Sequence, residues 1–248
     1  MRKLKKWSCL LLALLCGVLF YIEGNASKYI IRITRLCAIN IVLALSMNLV
    51  NGFTGIFSLG HAGFMAIGAY SVALLTIPVA KKETIFMLEP LIAPLNTLTL
   101  PFGVALIIGG LLAAALAFLI GLPCLRLRGD YLAIATLGFS EIIRIVITNA
   151  QCLTNGAQGL KSIPATANIW WCYGIALATI IFIALLISSS YGRAFKAIRE
   201  DEIAAESMGV SLLRHKMLSF MLSAFLAAVG GGLFASYIGT IGPDVFQV

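Results

Sequence analysis

Charged residues are scarce in this sequence. Only 11% of its 248 residues are Asp, Glu, Lys or Arg, whereas 60% are hydrophobic. A soluble domain uses about a quarter charged residues to cover its surface. Much of the surface of this chain is therefore expected to contact lipid. The composition predicts a membrane protein whose spans take about 20 residues each.

Motifs for nucleotide binding, metal binding and nucleophilic catalysis are also missing. The sequence has no GxxxxGK[ST] loop, no HExxH and no GxSxG, so we predict no catalytic residue in this chain. Its six cysteines are scattered without metal-ligand spacing. The net charge of +8 comes from bases placed between apolar runs, which favours lipid contact over nucleic acid. We predict no cofactor, no metal and no nucleic-acid partner.

Apolar runs divide the chain into about seven predicted spans. They lie at residues 7–22, 36–80 (two spans), 100–122, 131–148, 169–190 and 217–238. The first run follows basic residues and also resembles a secretory signal, but we expect it to be retained as a span. The predicted fold is all-α: a polytopic transmembrane helical bundle that forms a single domain over residues 1–248.

Basic residues between the spans predict the orientation of the chain. With a cytoplasmic N-terminus, most bases lie inside, as the positive-inside rule requires. The inner set is Arg2, Lys3, Lys5, Lys6, Arg126, Arg128, Arg193, Lys196, Arg199, Arg214 and Lys216. The outer set, which makes the bias imperfect, is Lys28, Arg32, Arg35, Lys81, Lys82 and Lys161. We predict a multi-pass protein of the cytoplasmic (inner) cell membrane.

Glycine and polar residues interrupt the long apolar run at residues 36–80. Free backbone groups at membrane depth must be satisfied by protein or by a water-lined cavity, which predicts an interrupted or re-entrant segment near residues 48–63. Two interpretations stay open: the segment lines a translocation path, or its glycines permit close packing around a structural His61. The path hypothesis names Asn48, Asn51, Gly52, Thr54, Gly55, Ser58 and His61.

Glu141 and Arg144 are charged residues inside a predicted span. They are three positions apart, so they share a helix face and can pair. An ionisable residue within a span suggests a function, but a pair that neutralises itself also tolerates burial. We favour a structural intramembrane ion pair.

Residues 191–216 form the only long charged stretch, which we interpret as a cytoplasmic coupling loop. Acidic residues begin helices and glycine follows their ends, so we predict a short helix from Asp201 to Met208. Its apolar residues between flanking charges suit a soluble partner. The candidate docking residues are Gly192, Arg199, Glu200, Asp201, Glu202, Ile203 and Gly209.

Three blocks of the sequence resemble one family, in the same order. They are NLVNGFTGIFSLGHAGFMAIGAY (48–70), LRLRGDYLAIATLGFSEIIRIVI (125–147) and YGRAFKAIREDEIAAESMGV (191–210). These blocks are similar to signatures of high-affinity branched-chain amino-acid ABC transporter permeases. The second block resembles the LivM-type subunit rather than its LivH-type partner.

The resemblance implies a permease subunit of an ATP-driven importer, not an enzyme. Its partners would be two ABC ATPase subunits, a second, LivH-type permease subunit and an extracytoplasmic substrate-binding protein. Residues 192–209 resemble the region that meets the ATPase. Because such permeases usually continue past the GPDVF segment with further helices, we expect a C-terminally truncated chain.

Two alternatives remain. A related ABC permease for urea or short amides would carry similar blocks, since the binding protein largely sets the substrate. An ion-coupled carrier or an intramembrane enzyme would use Glu141 and His61, but no nucleophile with a base and no metal set accompanies them. A carrier would also transport without an ATPase.

Overall fold

Helices form nearly all of the secondary structure. The structure, a computed structural model, describes residues 27–86, 91, 95–127 and 129–246, together with positions 17, 20, 21, 23 and 24. Within these residues, the only β pairing is one antiparallel bridge between Leu160 and Ile241. The prediction of an all-α fold is confirmed.

Ten helices follow one another from residue 27 onward in the described part of the chain. They are α1 (Lys28–Asn48), α2 (His61–Thr76), α3 (Val79–Ile85), α4 (Phe102–Cys124), α5 (Asp130–Asn149), α6 (Gln151–Thr154), α7 (Ile169–Ser188), α8 (Ser190–Glu200), α9 (Glu202–Ser207) and α10 (Leu212–Ile238). A π-helical turn at Leu49–Phe53 extends α1, and 3₁₀ turns occupy Gly156–Gln158 and Pro243–Phe246.

Five described helices are long and apolar enough to cross a membrane. They are α1 with its π turn, α4, α5, α7 and α10. A sixth crossing is counted if α2 and α3, bent by 120° at their junction, form one broken span. The predicted first span at residues 7–22 lies outside the described residues except for positions 17, 20 and 21, so the total of seven stays a prediction. The polytopic bundle is confirmed.

Helix α10 forms the centre of the bundle and packs on α2, α4 and α1. Where it crosses α2, a Cβ on Gly68 would fall 2.1 Å from the carbonyl oxygen of Ala228. A Cβ on Gly231 would fall 2.1 Å from the carbonyl oxygen of Met65. Only glycine allows the two backbones to approach this closely, as small residues do in membrane helices. The crossing fixes α2, and with it the interrupted segment, against α10.

Candidate functional site

A π-helical turn ends α1 within the predicted segment. The chain leaves the turn at Thr54 and runs without helical structure until α2 begins at His61. The carbonyl oxygen of Leu49, in this turn, accepts hydrogen bonds from the hydroxyls of Thr54 at 3.0 Å and Ser219 at 3.3 Å. Turns of this kind frequently mark functional sites. The interruption thus has a defined geometry with satisfied backbone groups.

Buried hydroxyl groups hold this interruption against α10. The hydroxyl oxygens of Thr54 and Ser219 lie 2.6 Å apart, and Ser223 donates to the carbonyl oxygen of Ser46 at 2.8 Å. The Ser46 hydroxyl lies 2.7 Å from Nε2 of His61. These four hydroxyl side chains are at most 1% exposed. His61 therefore has the kind of contact expected of a structural histidine.

The seven predicted path residues do not share one surface. Thr54 and Ser58 are buried, whereas Asn51, Gly52 and His61 are half-buried and Asn48 and Gly55 are exposed. The Asn51 side-chain oxygen accepts a hydrogen bond from the Ser58 N–H at 3.2 Å, which stabilises the irregular chain. The exposed face of the segment thus combines the amide of Asn48, the backbone at Gly55 and the ring of Phe57, which is 55% exposed.

Helix α5 supports the segment from the other side. The Leu59 N–H donates to the hydroxyl of Thr136 at 3.1 Å. A Cβ on Gly60 would fall 2.9 Å from the carbonyl oxygen of Thr136, and one on Gly63 would fall 3.0 Å from Cα of Ser140. Sequence reasoning missed Thr136 and Ser140, although two small polar residues four positions apart in a span are the signal that could have found them.

Helix α8 reaches the interruption through Arg199. Its Nη1 donates a hydrogen bond to the carbonyl oxygen of Gly52 at 3.1 Å. Gly55 has φ +74°, and a Cβ there would fall 2.7 Å from Cγ of Arg199. Both the positive φ and the close approach require glycine at this position. Two regions that the sequence treats separately are therefore one connected site.

Helix α9 and the residue after its end present two apolar side chains outward. Asp201 caps its start by accepting hydrogen bonds from the N–H groups of Ile203 at 2.8 Å and Ala204 at 3.1 Å. The helix ends at Ser207, one residue before the predicted end, and Gly209 follows with φ +84°. The exposed fraction is 74% for Ile203 and 84% for Met208. The loop thus offers a fixed apolar surface.

Other predicted docking residues serve the loop itself. Glu202 accepts a hydrogen bond from Nζ of Lys216, a buried residue at the start of α10, at 2.5 Å. Glu200 pairs with Arg199. A Cβ on Gly192 would fall 2.3 Å from the carbonyl oxygen of Ile187, where α8 folds back on α7. The contacts of Glu202 and Gly192 fix the loop, whereas Arg199 and Glu200 stay 45% and 71% exposed.

The predicted intramembrane pair is formed by neighbouring turns of α5. Nε of Arg144 donates to both carboxylate oxygens of Glu141 at 3.0 Å, and the side chains are 26% and 49% exposed. Within the described part of the chain, no group of three His, Cys, Asp or Glu residues could hold a metal ion. Glu141 and Arg144 thus neutralise each other within one helix.

A large cavity among α4, α7 and α10 lies apart from the interrupted segment. Its volume is about 970 Å³, and Thr179 is the only hydroxyl-bearing residue among its lining residues. A zwitterionic solute needs polar partners, because burial of an unpaired charge is costly. This cavity therefore does not suit such a solute.

Comparison with known proteins identifies the family. The sequence profile described as "Branched-chain amino acid transport system / permease component" matches residues 29–248. The chain belongs to this family. The family prediction made from the three sequence blocks is thereby confirmed, and with it the membership of a multi-pass membrane protein family.

Two relatives of this permease family member align along most of its sequence. It is 37% identical over 254 residues to the "High-affinity branched-chain amino acid transport system permease protein LivM" of Escherichia coli (strain K12), an alignment covering 89% of this chain and 55% of the relative. The protein of the same name from Salmonella typhimurium is 35% identical with the same coverage.

A more distant relative is archaeal. The "Probable branched-chain amino acid transport permease protein LivM" of Methanocaldococcus jannaschii is 24% identical over 238 residues, which cover 83% of this chain and 66% of the relative. This permease family member thus spans about half the length of the two bacterial relatives. No solved structure matches it.

Proposed function

We propose that this chain is a membrane-spanning permease subunit of an ATP-driven ABC importer for branched-chain amino acids. The observation that carries the proposal is the family match over residues 29–248. The relatives that align along 89% of this chain are named as high-affinity branched-chain amino acid permeases. ATP hydrolysis takes place on separate ATPase subunits, because this sequence has no nucleotide-binding loop.

The coupling loop at residues 191–216, which contains most of α8 and all of α9 and is called the α8–α9 loop below, is the proposed docking surface for the ATPase. Ile203 and Met208 are largely exposed, although α9 is fixed by its Asp201 cap and by the Glu202–Lys216 pair. Exposed apolar side chains on a rigid element are typical of interaction sites, because their burial stabilises a complex. The protein would lie in the inner cell membrane, with this loop and the N-terminus on the cytoplasmic side.

The interrupted segment is the proposed border of the translocation path. Its exposed face places the amide of Asn48 and the backbone at Gly55 beside the ring of Phe57. A branched-chain amino acid requires both polar groups for its zwitterion and apolar walls for its side chain. High affinity is not needed in the path, because tight binding would slow release. An extracytoplasmic substrate-binding protein would supply the affinity.

Arg199 supports a direct coupling between these two surfaces. It belongs to α8, which leads into α9, and it hydrogen-bonds to the π turn at the end of α1. A shift of α8 on ATPase closure would therefore displace the Gly52–Gly55 region. A second, LivH-type permease subunit would complete the path on the open side of the segment, and two ATPases would dock beneath the pair.

Co-purification tests the proposed assembly. The full chain with an affinity tag is extracted from membranes of its host in mild detergent and recovered on an affinity resin. We expect an ABC ATPase and a second permease subunit in the eluate, in comparable amounts. Recovery of the intact, monodisperse chain without any ATPase would contradict the proposal and favour a carrier that works alone.

A further inference from the structure

Three basic residues form an unpaired cluster at the start of α1. Lys28, Arg32 and Arg35 are separated by four and three positions, so they lie along one face of the helix. Within the described residues, none of them forms an ion pair, since the three ion pairs found there involve other residues. Like charges at this spacing repel each other. The cluster therefore lacks a counter-charge from the described chain.

Tyr237 near the end of α10 closes this cluster into a pocket. The guanidinium of Arg32 lies over the Tyr237 ring, 5.7 Å from its centroid. The pocket has a volume of about 290 Å³ and is lined by Lys28, Ile31, Arg32, Arg35 and Tyr237. That is roughly the volume of ten water molecules at about 30 Å³ each. The pocket has room for a phosphate group with its attached atoms.

Arg35 carries a hydrogen-bond donor that nothing in the described chain satisfies. Its Nε is buried and has no acceptor there. A buried donor without an acceptor costs free energy, so its presence calls for a partner. Guanidinium groups pair preferentially with carboxylate or phosphate oxygens, to which they donate two bonds at once. An anion in the pocket would satisfy Arg35 and neutralise the cluster.

The position of the cluster along α1 identifies the class of anion. With its π turn, the helix runs over 26 residues from Lys28 to Phe53, about 39 Å at 1.5 Å per residue. The hydrocarbon core of a bilayer is about 30 Å thick, so the helix is about 9 Å longer than the core. Because charge inside the core is costly, the three basic residues place this excess at the start of α1, at or beside the headgroups. Tyrosine is enriched at the same depth. Lipid phosphates are the anions concentrated there.

We propose that Lys28, Arg32 and Arg35, together with Tyr237, bind the phosphate of an anionic phospholipid headgroup. The site lies at the end of the bundle opposite the α8–α9 loop, because α10 runs from Leu212 beside the loop to Tyr237. With a cytoplasmic loop, these bases lie on the side that the positive-inside rule leaves poor in bases. Lipid binding would explain why Lys28, Arg32 and Arg35 occur on this side of the membrane.

Lipid binding to the purified full chain tests this site independently of transport. Delipidated protein in detergent is titrated with phosphatidylglycerol, and bound lipid is counted by native mass spectrometry. Replacing both Arg32→Gln and Arg35→Gln should weaken binding about thirtyfold, from the usual attraction of two cations to anionic lipid. The variant Arg32→Lys with Arg35→Lys keeps both charges and should retain most of the affinity.

A matched control removes two charges at the same end of the bundle but outside the pocket. Lys81 and Lys161 are exposed and do not line the pocket. We expect Lys81→Gln with Lys161→Gln to change the affinity less than about threefold, because solvent screens exposed charges that lie away from the bound phosphate. Thermal unfolding of each variant in lipid-free detergent shows that it is folded. If the variant with Arg32→Gln and Arg35→Gln does not fold, Lys28→Gln is compared with the lysine variant instead. Lys28→Gln should weaken lipid binding several-fold.

Three results would overturn the proposal. The glutamine variant, or Lys28→Gln in its place, could bind phosphatidylglycerol as tightly as the unmodified chain. The unmodified chain could bind phosphatidylcholine and phosphatidylglycerol equally well, which would remove the anionic preference. Inorganic phosphate could displace phosphatidylglycerol at equal concentration, which would make a free anion the ligand instead of a lipid.

Discussion

Arg199 donates a hydrogen bond from Nη1 to the carbonyl oxygen of Gly52, with the two atoms 3.1 Å apart. The donor belongs to α8, and the acceptor belongs to the π turn at the end of α1. Gly55 lies against the same side chain. A movement of α8 must therefore displace the interrupted segment or break this contact.

Replacing Arg199 with methionine tests this connection. Methionine keeps much of the apolar contact with Gly55 but cannot donate to Gly52. The side chain is 45% exposed, so we assign the lost bond about 1 kcal/mol, below the range of about 1.5–3 kcal/mol for charged donors. Uptake by the assembled transporter should fall about fivefold, while the recovery of the ATPase stays unchanged.

The control for Arg199→Met is Arg193→Met on the same helix, where the side chain is exposed. This change removes the same charge without touching the interruption, and uptake should stay within twofold. Equal uptake by the Arg199 and Arg193 variants would show that the contact does not transmit motion. Loss of ATPase recovery with Arg199→Met would instead assign the residue to docking.

The exposed apolar residues of α9 allow a sharper test of docking than its charges. Reversing Glu202 would place a second cation beside the buried Lys216 and disturb the loop itself. We therefore predict that Ile203→Asp with Met208→Asp lowers the affinity for the ATPase at least tenfold, since burying such side chains contributes about 1.5–3 kcal/mol each. Titration of the purified ATPase against the permease measures this affinity.

A control for this test adds charge at the far end of α8. Ser190 is exposed at the start of that helix, where an acid is favourable to the helix dipole. Ser190→Asp should leave the affinity for the ATPase within twofold. If the two α9 changes together had no larger effect than Ser190→Asp, the ATPase would have to dock elsewhere.

The exposed face of the interrupted segment should be in contact with water. We predict that single cysteines at Asn48 and Phe57, in a chain without its native cysteines, react with a charged thiol reagent at least tenfold faster than Ile107→Cys. All three positions are exposed, but Ile107 lies on the uniformly apolar α4. Only a thiol in contact with water forms the reactive thiolate. Labelling as slow as that of Ile107→Cys would place this face against lipid and leave the segment as packing.

A buried lysine fixes the chain before α4. Nζ of Lys82 donates to the carbonyl oxygens of Leu95 at 2.7 Å and Leu98 at 2.8 Å, and the residue is 1% exposed. Lys82→Met should lower the free energy of unfolding by about 2–4 kcal/mol, because two acceptors lose their donor. The neighbouring Lys81 is exposed, and Lys81→Met should cost less than about 0.5 kcal/mol. Equal thermal stability of the two variants would contradict this role.

Local features of the site could be predicted from the sequence. The helix interruption followed from glycine and polar residues in an apolar run, and the bounds of α9 followed from Asp201 and Gly209. Both signals act within a few residues, because a cap or a positive φ depends on neighbouring backbone groups. The family also followed, since its three blocks occur in order.

Long-range contacts of the site could not be predicted in this way. Arg199 and Gly52 are 147 positions apart, and their pairing depends on how α8 packs beneath the bundle. Arg199 therefore resembled an ordinary docking charge. Lys82 resembled an outer surface base for a similar reason, since lysine is almost never fully buried unless it is paired. The carbonyl groups that satisfy it lie in a loop without any sequence signal.

ATP-dependent uptake of leucine tests the proposed function most directly. The complex recovered through the tagged chain is reconstituted into liposomes with its substrate-binding protein, with ATP on the ATPase side. Labelled leucine should accumulate only with ATP, and excess isoleucine or valine should abolish the signal while excess urea leaves it unchanged. Leucine uptake that persists without ATP, or competition by urea but not by isoleucine, would contradict a branched-chain amino-acid importer driven by ATP.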